Sequence, residues 1–100
     1  CTGNSLAKIA LGISDTSVTM AAKAHLRGNR PLVIALASND ALSANLKNIA
    51  TLLARKHVFF VPMTQDDPAK KPNSLVADYS LVPRTLEYAL AGKQYQKVFI

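Results

Sequence analysis

Thr2, Gly3, Asn4 and Ser5 place two hydroxyls, a side-chain amide and a residue without a side chain directly ahead of an apolar helical pattern. Backbone N–H groups and hydroxyls gathered at a helix start bind anions and the polar edges of ligands. Two later segments carry related chemistry: Ala37-Ser38-Asn39-Asp40 follows one apolar run, and the polar loop from Met63 to Pro72 follows another. In open α/β sheets ligands bind outside the C-terminal ends of the strands, so all three segments are expected to converge on one site. Asn4 and Asn39 each offer an amide that both donates and accepts. This inventory suits a polar heterocycle or a carboxylate better than a metal ion.

No metal centre is expected, because His25, His57 and Cys1 lack ligand spacing. His25 falls on an apolar helix face and His57 precedes a strand, so both read as structural or surface residues. Cys1 reads as a small residue ending a buried strand rather than as a nucleophile. Asp15 could polarise a ligand and Asp40 could act as a general base, but each also suits a helix start, where an acid caps or is stabilising. No Ser-His-Asp or Cys-His arrangement occurs, and no complete dinucleotide or P-loop glycine pattern. No catalytic residue is identified.

The elements that must hold these segments follow from the apolar pattern. Residues 4–11 predict a short helix with Leu6, Ile9 and Ala10 buried. Ser14 or Asp15 is expected to cap a second helix that runs to Arg27, with Gly28 in the left-handed conformation beyond it and Pro31 forbidding continuation. Its inward face would be Val18, Ala21, Ala22 and His25, small enough to pack closely on a sheet or on another subunit. The run 32–37 reads as a strand buried on both faces, as in a parallel sheet. Residues 40–56, with Leu42, Leu46, Ile49 and Leu53 on one stripe, predict an amphipathic helix. Val58–Val61 gives the next strand, joined by a right-handed crossover. A polar loop over 63–72 would lead to a short helix capped by Asn73 or Ser74 and running to Tyr79. Pro83 then opens a last helix closed by Gly92, with Val82, Leu86, Ala89 and Leu90 facing inward. Residues 95–100 would form a strand or a docking arm.

One hundred residues suffice for one small domain. Net charge is +6, spread as five Lys/Arg and two Asp over residues 1–50, then seven and four Asp/Glu over 51–100. That spread, without a basic tail or a basic-aromatic motif, argues against nucleic-acid binding and fits an anionic small-molecule ligand. A single cysteine fits a reducing compartment. No apolar run reaches the roughly 20 residues that span a bilayer, so a soluble cytoplasmic protein without membrane partners is expected. Two strands with both faces apolar cannot form a stable sheet alone. The pattern therefore predicts a single partial domain over 1–100, the C-terminal half of a doubly wound α/β unit.

Residues 2–15, Thr-Gly-Asn-Ser-Leu-Ala-Lys-Ile-Ala-Leu-Gly-Ile-Ser-Asp, resemble the Asn-Thr-x-x-Lys-Ile-Ala-x-Gly-Ile-x-Asp segment of a flavoprotein family. That family includes phosphopantothenoylcysteine decarboxylase, the peptidyl-cysteine decarboxylases and the flavin prenyltransferases. Asn39-Asp40-Ala41-Leu42, Phe60-Val61-Pro62, Gln65-Asp66-Asp67-Pro68 and Lys70-Lys71-Pro72-Asn73-Ser74 resemble one branch of it, the B subunits of dipicolinate synthase. The resemblance covers nearly the whole chain.

It implies a flavodoxin-like, Rossmann-like three-layer α/β fold with a parallel sheet, homo-oligomers, and an FMN site near subunit contacts. Thr2, Gly3, Asn4 and Ser5 match the loop that touches the flavin, and Ala37 matches a strand-end position that contacts it in the prenyltransferases. Asn39 matches the asparagine of the decarboxylases' Pro-x-Met-Asn motif, which binds a substrate carboxylate. Here the sequence reads Leu36-Ala37-Ser38-Asn39; the missing Pro and Met argue against cysteine decarboxylation, and Ala37 in place of an arginine argues against prenyl transfer. The family's phosphate-binding loop and decarboxylase histidine belong to an N-terminal half, so the flavin site here is expected to be incomplete. The resemblance further implies a partner, the A subunit of dipicolinate synthase, carrying NAD(P). Together the two would oxidise a dihydrodipicolinate-level precursor to dipicolinate in the cytoplasm of the mother cell of a spore-forming bacterium. Lys70 and Lys71 are then candidate contacts for the anionic substrate. Two other functions stay open: a non-catalytic assembly or binding role, and an FMN-dependent decarboxylase.

Overall fold

A computed structural model describes residues 1–100. Helix α1 (Gly3–Leu11) begins at the polar cluster, with Thr2 as N-cap: its hydroxyl accepts from the Ser5 amide at 3.2 Å. Gly12 ends the helix at φ +78°, a left-handed conformation that glycine adopts without steric cost. Helix α2 (Ser17–Arg27) is capped by Thr16, not by Ser14 or Asp15. The Asp15 carboxylate is instead paired with Lys8 at 3.2 Å. Thr16 and Thr19 then satisfy each other's backbone N–H groups, at 3.2 and 3.0 Å, in a reciprocal box. Gly28 also departs from expectation: it keeps φ −85°, and Asn29, at φ 56°, takes the left-handed position that an asparagine tolerates.

Strand β1 (Leu32–Ile34) is followed by β2 (Ala37–Ser38), helix α3 (Leu46–Leu53), β3 (Val58–Phe60), β4 (Met63–Thr64), β5 (Leu75–Ala77), a 3-10 turn (Tyr79–Leu81) and helix α4 (Val82–Leu90). β1 and β3 are parallel, with Leu32, Val33 and Ile34 opposite Val58, Phe59 and Phe60. Cys1 flanks the segment between β1 and β2: its amino group donates to the Ala35 carbonyl at 2.8 Å and its carbonyl accepts from the Ala37 amide at 3.0 Å. That pair of bonds is a parallel ladder step, so Cys1 lies at the edge where a further strand would pair.

The single strand expected over 32–37 divides in two. After Ile34 the chain leaves its ladder with β3, and β2 joins an antiparallel sheet in the order β2–β5–β4. The short helix expected over 73–79 is β5 itself. Its central Val76 pairs with both Ala37 and Thr64, and strand pairing on two sides outweighs a local cap at Asn73 or Ser74. The expected helix over 40–56 starts only at Leu46. Residues 39–45 are turned by the Asp40 carbonyl, which accepts from the amides of Ser43 and Asn45.

Side chains alternate faces along a strand. Ile34 and Phe60 join Leu6, Ile9, Ile49 and Leu52 in the main core, under α1 and α3. Val33 and Phe59 point to the opposite face, where α4 packs on β1 and β3. Helices on both faces of a parallel pair make the expected three-layer α/β arrangement. α4 is rotated from its expected orientation: Thr85 and Ala89 are buried, while Leu86 and Leu90 are 46% and 80% exposed. In α2 likewise Thr19 and Ala22 face the core, and Val18, Ala21 and His25 are exposed. The tail docks as an extended arm, its Val98 carbonyl and Ile100 amide bonding the backbone of Met63 at 2.7 and 2.8 Å.

Candidate functional site

Gly3 and Asn4 at the start of α1, and Ala37 to Asp40 at the end of the β1–β2 segment, line one cavity of about 410 Å³. Asn45, Asp66, Ser74 and Val76 complete its wall. It lies outside the C-terminal ends of β1 and β3, where the strand order predicts a ligand. The volume falls within the roughly 300–1,000 Å³ of small-molecule sites, but its wall is more polar than most.

A hydrogen-bonded cluster holds the floor. Asp40 Oδ1 accepts from the Ser38 hydroxyl at 2.6 Å and from the Asn45 amide at 2.8 Å, and Asn45 Oδ1 accepts from the Asn48 amide at 2.8 Å. The bond from Ser38, and then that from Asn45, hold the Asp40 carboxyl below its ordinary pKa, against a smaller opposing effect of burial. Asp40 is therefore an anion at neutral pH. Gly3 sits directly on this cluster: a β-carbon there would stand 2.6 Å from Ser38 Oγ and 2.7 Å from Asn45 Nδ2. The helix start can approach Asp40 only because position 3 has no side chain.

Of the residues singled out in the sequence, Gly3, Asn4, Ala37 and Asn39 meet in the cavity. Thr2 and Ser5 do not line it; Thr2 caps α1, and its hydroxyl also lies 3.3 Å from that of Ser5. Lys70 and Lys71 stand outside as well. The Lys70 amide donates to Asp67 Oδ1 at 3.3 Å, and the Lys71 ammonium lies 3.9 Å from the carboxylate of Asp66, which itself lines the cavity. No cation lines the cavity, and Asp40 and Asp66 do. Ser38 and Asp40 come with the expected 37–40 segment and Asp66 with the 63–72 loop, whereas Asn45 and Ser74 join the site without having been expected in it. Ser38 and Asn45 flank Asp40 at spacings of 2 and 5 in a polar stretch, which is a usable signal; Ser74 is brought in only by β5, which periodicity does not reveal.

The donor set fits the edge of a flavin ring. The amides of Asn4 and Asn39 can meet alternating donors and acceptors, Ala37 leaves room for a flat ring, and the ionised Asp40 would accept from a ring N–H. No cationic side chain lines the cavity to grip a phosphate. His25 and His57 lie away from the cavity, and no group of His, Cys, Asp and Glu side chains could hold a metal ion. No helix is long and apolar enough to cross a membrane.

Comparison with known proteins agrees with this architecture. The chain is 48% identical over 99 residues to the B subunit of dipicolinate synthase of Bacillus subtilis strain 168, covering 99% of this chain and 50% of the relative. It superposes on the crystal structure of the dipicolinate synthase B subunit from Bacillus halodurans with a TM-score of 0.96 and 49% identity, over 99% of this chain and 51% of that one. The chain thus spans about half the length of the relatives it matches. Residues 1–80 match the Flavoprotein family, and the chain belongs to that family.

Proposed function

We propose that this chain forms one wall of an FMN site in the B-type subunit of a dipicolinate synthase. Such a protein would work with a nicotinamide-dependent A-type partner to oxidise a dihydrodipicolinate-level precursor to dipicolinate during sporulation. One observation carries the reading: Gly3 and Asn4 meet Ala37 and Asn39 in a single cavity at the strand ends, in a chain of the Flavoprotein family. The names of both relatives support the role within that enzyme. A bound flavin would supply electron-accepting chemistry. The residues of this chain would bind and orient it: Asn4 and, in place of the substrate-carboxylate contact that the resemblance implies, Asn39 through amide hydrogen bonds, Asp40 as acceptor, and Gly3 by letting the helix start lie against the Ser38–Asp40–Asn45 cluster.

A second reading, a protein that organises its partner without taking part in the chemistry, is favoured by the lining itself. A cavity with two carboxylates and no cation is a poor place for a dianionic substrate, so Lys70 and Lys71 would meet that substrate outside it. Turnover by the partner separates the two. Native protein should raise it further when FMN is added, and Asn39→Ala should reduce that gain while co-purification persists. Full stimulation by Asn39→Ala, without any response to FMN, would establish the assembly role instead.

A further inference from the structure

A second cavity, of about 270 Å³, opens between the end of α1, the side of α2 and the end of α3. Ile9, Ile13, Thr19 and Leu26 form its walls, and Lys23, Arg27 and Arg55 stand around them. Leu26 and Arg55 also line an adjoining hollow with Lys56 and His57. Neither contains an acid. Arg55, Lys56 and His57 lead into β3, so this site lies at the N-terminal ends of the strands, opposite the Asp40 cavity.

The sequence explains the charge. Between Asp15 and Asp66 the only acid is Asp40, while Lys23, Arg27, Arg30, Lys47, Arg55 and Lys56 fall in the same interval. Both ion pairs of the molecule lie elsewhere, at Lys8–Asp15 and Lys71–Asp66. Lys23, Arg27 and Arg55 are exposed and have no carboxylate partner. Arg55, just past the end of α3, gains something from the helix dipole. Lys23 lies in the middle of α2, where a dipole gives it no such support.

We propose that this cavity binds a small aromatic carboxylate, its ring against Ile9, Ile13 and Leu26 and its charge between Lys23, Arg27 and Arg55. An apolar recess rimmed by unpaired cations selects a ligand with one flat apolar face and an anionic edge. An arginine fork also matches a carboxylate in two parallel bonds. The volume suits one ring rather than a polymer. The proposal is independent of the flavin reading, since the two cavities share no residue.

Calorimetric titration of the native protein with pyridine-2,6-dicarboxylate, benzoate and uncharged pyridine tests it. The dicarboxylate should bind most tightly, benzoate more weakly, and pyridine not at all. Lys23→Gln combined with Arg55→Gln should weaken the dicarboxylate by about tenfold or more, given what charged hydrogen bonds contribute. FMN titration should be unchanged, because both side chains are remote from the other cavity, and the melting temperature should fall by no more than the few degrees that losing the Arg55 charge at the end of α3 costs. Ile13→Glu, which puts an acid at the mouth, should also abolish binding. No heat at about 10 mM dicarboxylate, or equal binding to the double variant, would overturn the proposal. So would binding of an acidic peptide such as Asp-Asp-Phe-Asp-Asp in place of all three small molecules, which would make this a protein-docking surface.

Discussion

Gly3 lies against Ser38 so closely that a β-carbon at position 3 would stand 2.6 Å from the serine hydroxyl oxygen. The contact joins the start of α1 to the end of the β1–β2 segment and sets the geometry of the candidate flavin wall. Gly3→Ala is expected to destabilise the fold by about 1–3 kcal/mol through overpacking. Ser38→Gly in the same chain should recover part of that loss by removing the side chain that is struck. Urea unfolding of the two single variants and the double variant measures the coupling, which should be absent if the two positions act independently.

Asp40 ties the cluster together, and its replacements should separate charge from hydrogen bonding. Asp40→Ala leaves the Asn45 amide, in a residue only 7% exposed, without its acceptor, at a cost of about 1–3 kcal/mol. Asp40→Asn keeps an acceptor and should cost less. Because the folded protein holds this carboxyl below its ordinary pKa, its ionised form stabilises the fold at neutral pH. That contribution is complete above the unfolded value and is lost as pH falls below about 4 through the folded value. The stability gap between wild type and Asp40→Asn should therefore shrink in acid, and a gap that grew would contradict the assignment.

Gln94 acts as a substitute strand. Its Oε1 accepts from the Phe60 amide at 2.8 Å and its Nε2 donates to the Phe60 carbonyl at 2.6 Å, satisfying both backbone groups on the free side of β3. Phe60 is fully buried. Gln94→Ala should cost about 1–3 kcal/mol by leaving these groups unpaired. Amide hydrogen exchange should locate the effect at Phe60 rather than in the helices.

The start of α2 gives a comparison between neighbouring residues. Thr16→Ala removes the N-cap and should destabilise by about 1 kcal/mol, whereas Ser14→Ala should be nearly neutral. Thermal unfolding of the two variants checks the order.

That same helix shows what can be read from the chain. A polar residue near position 15 has to cap it, but three candidates stand in a row. Thr16 takes the role by closing a reciprocal box with Thr19, while Asp15 pairs with Lys8. Long apolar patterns are legible: α1, β1, β3 and the core at Leu6, Ile9 and Ile49 follow directly from periodicity. The antiparallel sheet is not, since β2, β4 and β5 are two or three residues long and owe their form to one another. Leu86 and Leu90 read as core by spacing, yet Thr85 is the buried residue, its hydroxyl satisfied by the Leu81 carbonyl at 2.8 Å. In the candidate site, Gly3, Asn4, Ala37 and Asn39 can be found because strand ends converge in any such sheet. The bonds from Ser38 and Asn45 to Asp40 need the fold of residues 38–45 to become visible.

FMN titration followed by flavin fluorescence tests the central claim most directly, with the full-length protein, whose N-terminal half would complete the site, compared with its Asn4→Asp and Gly3→Val variants. Native protein should quench the flavin. Asn4→Asp should weaken binding by replacing an amide donor with a third carboxylate in the cavity, and Gly3→Val should weaken it by forcing the helix start away from Ser38. Unchanged fluorescence at roughly 50 µM native protein, or equal quenching by all three, would contradict the assignment of this cavity to flavin.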